Sequence, residues 1–327
     1  MKDNLKNVAS FFMRFGLSAV LLFWLFTKID FRHMWEAVKG ADANYLIAAG
    51  LVYFAINFII LWRWRILMKA LGVKVDRMST MRWFFIGLFC NLFLPSSVGG
   101  DVVKGLGLAK ITGNKPKVFA SIVLDRLSGF AGIVILAAGA FAFGHKLVQD
   151  TSVLLAILSM AGVSVLIALV LFSHRIFSFV TTAFERWPKV KDALMRLHYD
   201  IVLLKGKQWQ GVESILISIG SQLVLAFEFY LTAKGMHQDI DWIYFIIFSP
   251  IVCVVTSLPS IGGLGVREIG WVYLLSKVGV HEGVALGLSL INFGFMVLVG
   301  LLGGVWYVIT LSSRRVQPSQ ADPSPGR

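Results

Sequence analysis

Ionisable side chains inside apolar segments are the residues of this sequence that could do chemistry. Asp125 and Arg126 are adjacent within the apolar run 118–143. Two consecutive residues of a helix point about 100° apart, so each of them needs a partner from another element. Either Asp125 clamps a neighbouring helix, or Arg126 meets the phosphate of a ligand. The sequence favours neither interpretation over the other.

A glycine-rich break precedes the next charged pair. Pro95, Gly99 and Gly100 interrupt an apolar region, and Asp101 and Lys104 follow one helical turn apart. Proline removes a backbone donor and glycines expose peptide groups, so such a break at membrane depth must face protein, water or a ligand. We expect Asp101 to pair with Lys104 and cap the helix start, while Lys104 and the glycine amides are candidates for binding an anionic headgroup.

A second break repeats this arrangement later in the chain. Pro259 precedes Arg267 and Glu268, and three glycines open the backbone between them: Gly262, Gly263 and Gly265. Because arginine is always charged and its planar fork matches phosphate, Arg267 is predicted to bind an anionic headgroup. Glu228 is a further carboxylate in an apolar run. Its main interpretation is a hydrogen bond to a neighbouring helix, and proton coupling is the alternative.

The composition predicts an all-α protein that crosses a membrane several times. Of the 327 residues, 57% are hydrophobic and 15% are charged, more apolar surface than a soluble domain could bury. Six runs are long enough to span a bilayer, namely 11–27, 45–62, 118–143, 152–172, 212–233 and 284–310. The two breaks add two re-entrant or short-helix hairpins, which gives about eight membrane elements.

The basic residues predict the orientation. Most of the 31 Lys and Arg lie in segments 1–14, 63–82, 104–117, 175–207 and after 311. The positive-inside rule then places both termini in the cytoplasm. We expect the membrane to be the inner membrane. Since these charges are spread over short loops, they do not form a nucleic-acid-binding domain, although they favour contact with an anionic membrane surface.

This orientation predicts an inverted repeat within a membrane domain of residues 1–311. The two hairpins enter from opposite sides, so the halves 11–143 and 151–310 have opposite topology, an arrangement typical of transporters with broken helices. Residues 312–327 are predicted to be a disordered cytoplasmic tail. Amphipathic surface helices are predicted at 31–38 and from Trp187 onwards.

Polar groups elsewhere indicate structural roles. Asn57 and Asn292 are predicted to form hydrogen bonds between helices. Cys90 and Cys253 are read as buried thiols. The sequence contains no His or Cys cluster with metal spacing, no nucleotide-binding loop and no Ser-His-Asp arrangement, so we expect no metal, no cofactor and no catalytic residue.

Three motifs in this order resemble the lysylphosphatidylglycerol synthase transmembrane region family, also called flippase-like integral membrane proteins. They are NLFLPSSVGGDVVK at 91–104, DRLSG at 125–129 and LPSIGGLGVRE at 258–268. The resemblance extends from about Arg14 to Thr310. Lys104 stands where the family motif has arginine, which keeps the charge and loses the forked phosphate geometry.

The resemblance implies lipid translocation. In the family, the membrane domain moves a phospholipid that an attached soluble aminoacyltransferase domain has modified. This chain ends after the membrane region, so we expect a transporter and no synthase chemistry. The implied cargo is an anionic phospholipid or a polyprenyl- or hopanoid-type lipid. The alternatives are a membrane-embedded subunit of a lipid-modifying synthase or transferase, with Asp125, Glu228 or Glu268 as acid-base groups, and a non-catalytic scaffold for such an enzyme.

Overall fold

The protein is described by a computed structural model covering residues 31–94, 99–144, 207–256 and 264–315, together with positions 155, 158, 159 and 162. Within these residues the chain forms nine helices and no strand. They are α1 Phe31–Lys39, α2 Ala43–Ala70, α3 Arg77–Phe93, α4 Gly99–Thr112, α5 Lys115–Gly144, α6 Gln208–Gly235, α7 Trp242–Val255, α8 Val266–Ser276 and α9 Glu282–Arg315.

Four of the helices are long and apolar enough to cross a membrane, which confirms an all-helical polytopic membrane protein. The spanning segments are Ala43–Ala70, Lys115–Gly139, Trp209–Gly235 and Glu282–Thr310. Leucines and other large apolar side chains also cover their outer faces, as a lipid environment requires. The predicted spans 11–27 and 152–172 and the helix from Trp187 lie outside the described residues, apart from the four isolated positions.

The two glycine-rich breaks separate pairs of short helices. α3 packs against α4, and α7 packs against α8, so each pair forms a hairpin. With 14, 14 and 11 residues, α4, α7 and α8 are too short to cross about 30 Å at about 1.5 Å per residue. Both hairpins begin with an aspartate cap: Asp76 accepts a hydrogen bond from the Ser79 N–H at 2.8 Å, and Asp241 accepts one from the Ile243 N–H at 3.1 Å.

Corresponding helices of the two predicted halves run antiparallel. At one end of the α2–α6 pair, the Asp42 N–H donates to the Gly235 carbonyl at 2.8 Å. At the other end, Lys207 Nζ donates to the Ala70 carbonyl at 2.7 Å. The start of α2 therefore lies beside the end of α6, and the end of α2 beside the start of α6.

The long helices α5 and α9 also pack on helices of both predicted halves. α5 packs on α4 of its own half and on α7 of the other, and α9 packs on α8 of its own half and on α3 of the other. α5 and α9 therefore each pack against one arm of both hairpins. Two apolar cores result, one around Trp64 and Phe84 and one around Phe245 and Trp271.

The outer parts of the fold differ slightly from the predicted bounds. α1 forms where an amphipathic helix is predicted; it packs on α9, with Met34 buried and Trp35 exposed. α9 continues to Arg315, so the first residues of the predicted disordered tail are helical, and 316–327 lie outside the described residues. Cys90 and Cys253 lie on α3 and α7, half-buried, and neither is in a disulfide.

Candidate functional site

The first turn of α4 carries a carboxylate that holds two cations. Asp101 Oδ1 accepts from Lys104 Nζ at 2.8 Å, and Asp101 Oδ2 accepts from Nε and Nη2 of Arg126, each at 2.6 Å. Arg126 lies on α5, so Asp101 joins the second arm of the hairpin to the long helix behind it. The Asp101 side chain is 9% exposed, whereas that of Arg126 is 38% exposed.

Asp125 takes a different partner from its neighbour, as expected for consecutive helical residues. Arg63 donates from Nε to Asp125 Oδ1 at 2.8 Å and from Nη1 to Ser218 Oγ at 2.7 Å. These contacts join α5 to both α2 and α6. Asp125 is therefore a clamp between helices.

Arg63 is the residue that the sequence-based assignment missed. The predicted span ended at 62 and counted Arg63 among the cytoplasmic basic residues, but α2 continues to Ala70 and buries Arg63 to 7% exposure. A signal was present, because Ile56, Arg63 and Leu67 are separated by seven and four residues and so lie on one buried stripe.

Lys104 lies deeper than a headgroup ligand at the surface would. Its side chain is 7% exposed, and its Nζ lies 4.4 Å from the ring centre of Trp64 and 5.5 Å from that of Phe84. A cation over aromatic faces next to a carboxylate is stabilised in place. The predicted intrahelical pair with Asp101 is present, and Arg126 is the more accessible of the two predicted cations.

Gly100 packs two helices closely together. Its N–H donates to Asn91 Oδ1 at 2.8 Å, so this amide is already used within the hairpin. A Cβ at this position would overlap the Gly87 carbonyl of α3. The glycine therefore has a packing role. Gly99 is close to Leu94 in the same way.

The second hairpin holds a closed ion pair. Arg267 donates from Nε and Nη2 to Glu268 Oε1 and from Nε to Ser289 Oγ of α9 at 3.2 Å. Glu268 Oε2 accepts from the Gly265 N–H at 2.7 Å, which caps α8, and Gly265 has the positive φ of 85° that favours glycine. The Arg267 and Glu268 side chains are 7% and 0% exposed.

Glu228 bonds a neighbouring helix, which was its main interpretation. Its Oε2 accepts from Asn292 Nδ2 of α9 at 2.8 Å, and its Oε1 accepts from the Thr232 hydroxyl at 3.1 Å. Asn292 thus forms the predicted interhelical hydrogen bond. The same prediction is wrong for Asn57, because this amide donates to the Tyr53 carbonyl of its own helix.

The structure therefore brings the predicted residues together in two groups. Asp101, Lys104, Asp125 and Arg126 meet between α2, α4 and α5, and Arg267 and Glu268 lie against α9. Pro95, Pro259, Gly262 and Gly263 lie outside the described residues. Among the residues that are described, no group of three or more His, Cys, Asp or Glu side chains is placed to hold a metal ion.

Comparison with known proteins gives one family. The family model for the lysylphosphatidylglycerol synthase TM region matches residues 11–304. A UPF0104 membrane protein of Pyrococcus horikoshii is 24% identical over an alignment of 335 positions, which covers 93% of this chain and 96% of that relative. No solved structure matches the chain significantly.

Proposed function

The chain belongs to the lysylphosphatidylglycerol synthase transmembrane-region family, and on this premise we propose that it binds the anionic headgroup of a membrane lipid and moves it across the bilayer. The cargo is a phospholipid or a polyprenyl- or hopanoid-type lipid, and the membrane is the inner membrane. Transport of this kind needs a fixed positive charge at membrane depth and a polar path through an apolar body.

One observation carries the proposal: Arg126 is held in place by a buried carboxylate and is still more than one third exposed. Partial exposure lowers the desolvation cost of Arg126, so this charge is kept at membrane depth while its guanidinium stays accessible to a ligand. An arginine that is oriented in advance can meet a phosphate without first ordering its side chain. The fixed guanidinium at this position therefore suits an arriving phosphate.

The two hairpins support the path. In transporters with inverted repeats, broken helices supply the polar groups at the substrate site, because the backbone at a break is not satisfied within one helix. Here such a break separates α3 from α4 and another separates α7 from α8. The long helices α5 and α9 each contact both hairpins. The antiparallel α2–α6 pair agrees with opposite topology of the two halves.

The test is translocation of fluorescent phosphatidylglycerol in vesicles reconstituted with the full chain. Arg126→Lys keeps the charge and loses the forked contact, so we expect transport to fall by about tenfold or more, a loss of at least about 1.4 kcal/mol of phosphate binding. Lys115→Arg, which also keeps the charge, is the control, since Lys115 is exposed at the start of the same helix, α5. Wild-type transport by Arg126→Lys would defeat the assignment of Arg126, and absence of transport by the wild type would defeat the function.

The same vesicles separate a transporter from a lipid-modifying enzyme. With lipid acceptor and an aminoacyl donor present, a transporter leaves the lipid chemically unchanged, whereas a synthase yields a modified lipid on chromatography. A scaffold would give neither modification nor translocation, and it would tolerate neutral replacement of Arg126.

A further inference from the structure

A second basic site lies at the end of α2, away from the hairpins. A cavity of about 720 Å³ opens between the last turn of α2, the segment leading to α3 and the start of α6. Five basic side chains and one acidic side chain line it: Arg65, Lys69, Lys74, Arg77 and Lys207 with Glu213. Its volume is in the range of small-ligand sites.

The excess of positive charge in this cavity favours the binding of an anion. Lys207 donates to the Ala70 carbonyl at the end of α2, where the helix dipole is negative, so one cation is compensated by the backbone. The Glu213 carboxylate offsets a second positive charge. The other cationic side chains lie around the same open cavity, and a bound anion with two negative charges would offset their mutual repulsion.

Two further features of the wall restrict the kind of anion. The Gln210 Oε1 is buried and has no hydrogen-bond partner within the described part of the chain, so a hydroxyl or amino donor of a ligand would satisfy it. Trp62, 58% exposed, and the neighbouring Ile66 give the cavity an apolar side of the kind found at membrane interfaces.

We propose that this cavity binds a phosphate ester that carries a hydroxyl or amino group, either as the headgroup of an anionic lipid or as a soluble phosphorylated compound. The basic side chains hold the phosphate, Gln210 accepts from the donor, and the apolar side accommodates the neck of a lipid.

This site is separate from the buried pair on the same helix. Arg65 follows Arg63 by two residues, which places the two side chains about 200° apart around α2. Arg63 points into the body towards Asp125 and Ser218, and Arg65 points towards the cavity. Binding here therefore does not depend on Arg126 or on lipid translocation.

The experiment measures binding by the full chain in phosphatidylcholine nanodiscs. The probes are phosphatidylglycerol added to the nanodisc, followed by native mass spectrometry, and sn-glycerol 3-phosphate added to the solution, followed by calorimetry. The test variant is Arg65→Gln with Lys74→Gln, and the matched control is Lys115→Gln with Lys117→Gln at the start of α5. Near a membrane surface two lost cations should weaken binding roughly thirtyfold in the test variant and leave the control unchanged.

The two probes distinguish the source of the phosphate. Binding of phosphatidylglycerol alone, weakened in the Arg65 and Lys74 variant, identifies a lipid headgroup, and binding of sn-glycerol 3-phosphate with the same dependence identifies a soluble ligand. Phosphatidylglycerol binding that does not change in this variant lies elsewhere and overturns the proposal. Binding of neither probe by the wild type, or an equal loss in the control variant, overturns the proposal. Gln210→Leu should weaken phosphatidylglycerol several-fold more than phosphatidic acid, which lacks the hydroxyl groups, and equal effects would overturn the role of Gln210.

Discussion

Replacing Arg63 by methionine removes the partner of a buried carboxylate while an apolar chain of similar length keeps the packing. Asp125 is 7% exposed, so the variant leaves a charge inside the protein without its guanidinium. Breaking one side of a buried ion pair costs about 3–5 kcal/mol, and the lost hydrogen bond to Ser218 costs about 1 kcal/mol more. We therefore expect the free energy of unfolding to fall by about 4–6 kcal/mol.

The assay is denaturant unfolding of the purified protein in mixed micelles, followed by tryptophan fluorescence. Arg77→Met, at an exposed position, should change the free energy of unfolding by less than about 0.5 kcal/mol. Adding Asp125→Leu to Arg63→Met should recover most of the loss, since it removes the orphaned carboxylate. The reasoning fails if Arg63→Met costs no more than Arg77→Met, or if the double variant is no more stable than the single one.

Three other predictions concern the Asp101 carboxylate, the close packing at Gly100 and the membrane topology. Asp101→Asn should lower stability by about 3 kcal/mol and reduce translocation, because Asp101 neutralises two cations; an unchanged melting temperature would contradict this. Gly100→Ala should cost about 1–3 kcal/mol by overpacking, while Gly139→Ala, with open space at its Cβ, should be neutral in the same unfolding experiment. A cysteine at Asp239 should react with an impermeant reagent from outside and one at Lys115 should not; labelling of Lys115 from outside would contradict the topology.

The helices and the interhelical partners of the predicted charges follow from simple rules. Long apolar runs gave the four spans within the described residues, and Pro and Gly breaks gave the short-helix hairpins. The 100° step between Asp125 and Arg126 required separate partners, and the structure supplies Arg63 and Asp101. These features depend on local geometry, so one sequence is enough to predict them.

The identity of each partner depends on three-dimensional packing, which the sequence does not display. A hydropathy count ends a span at its first arginine and therefore misses Arg63, which is stable at depth only because Asp125 and Ser218 approach from other helices. Arg267 and Glu268 are also consecutive helical residues, yet they pair with each other. There Glu268 folds back to cap α8, and the long arginine side chain can follow it.

The two hairpins place their charges differently. In the first half, the carboxylate after the glycine break reaches across to Arg126, which stays 38% exposed. In the second half, Glu268 closes on the adjacent Arg267, and both side chains are at most 7% exposed. An arginine that is buried and paired within its own hairpin needs a rearrangement before it can meet a phosphate, whereas more than one third of the Arg126 side chain is already accessible. If the protein carries a headgroup, the first hairpin should therefore bind it before the second, and Arg126→Lys should weaken binding more than Arg267→Lys in equilibrium titrations with phosphatidylglycerol. Equal losses in the two variants would show that both hairpins bind the headgroup alike.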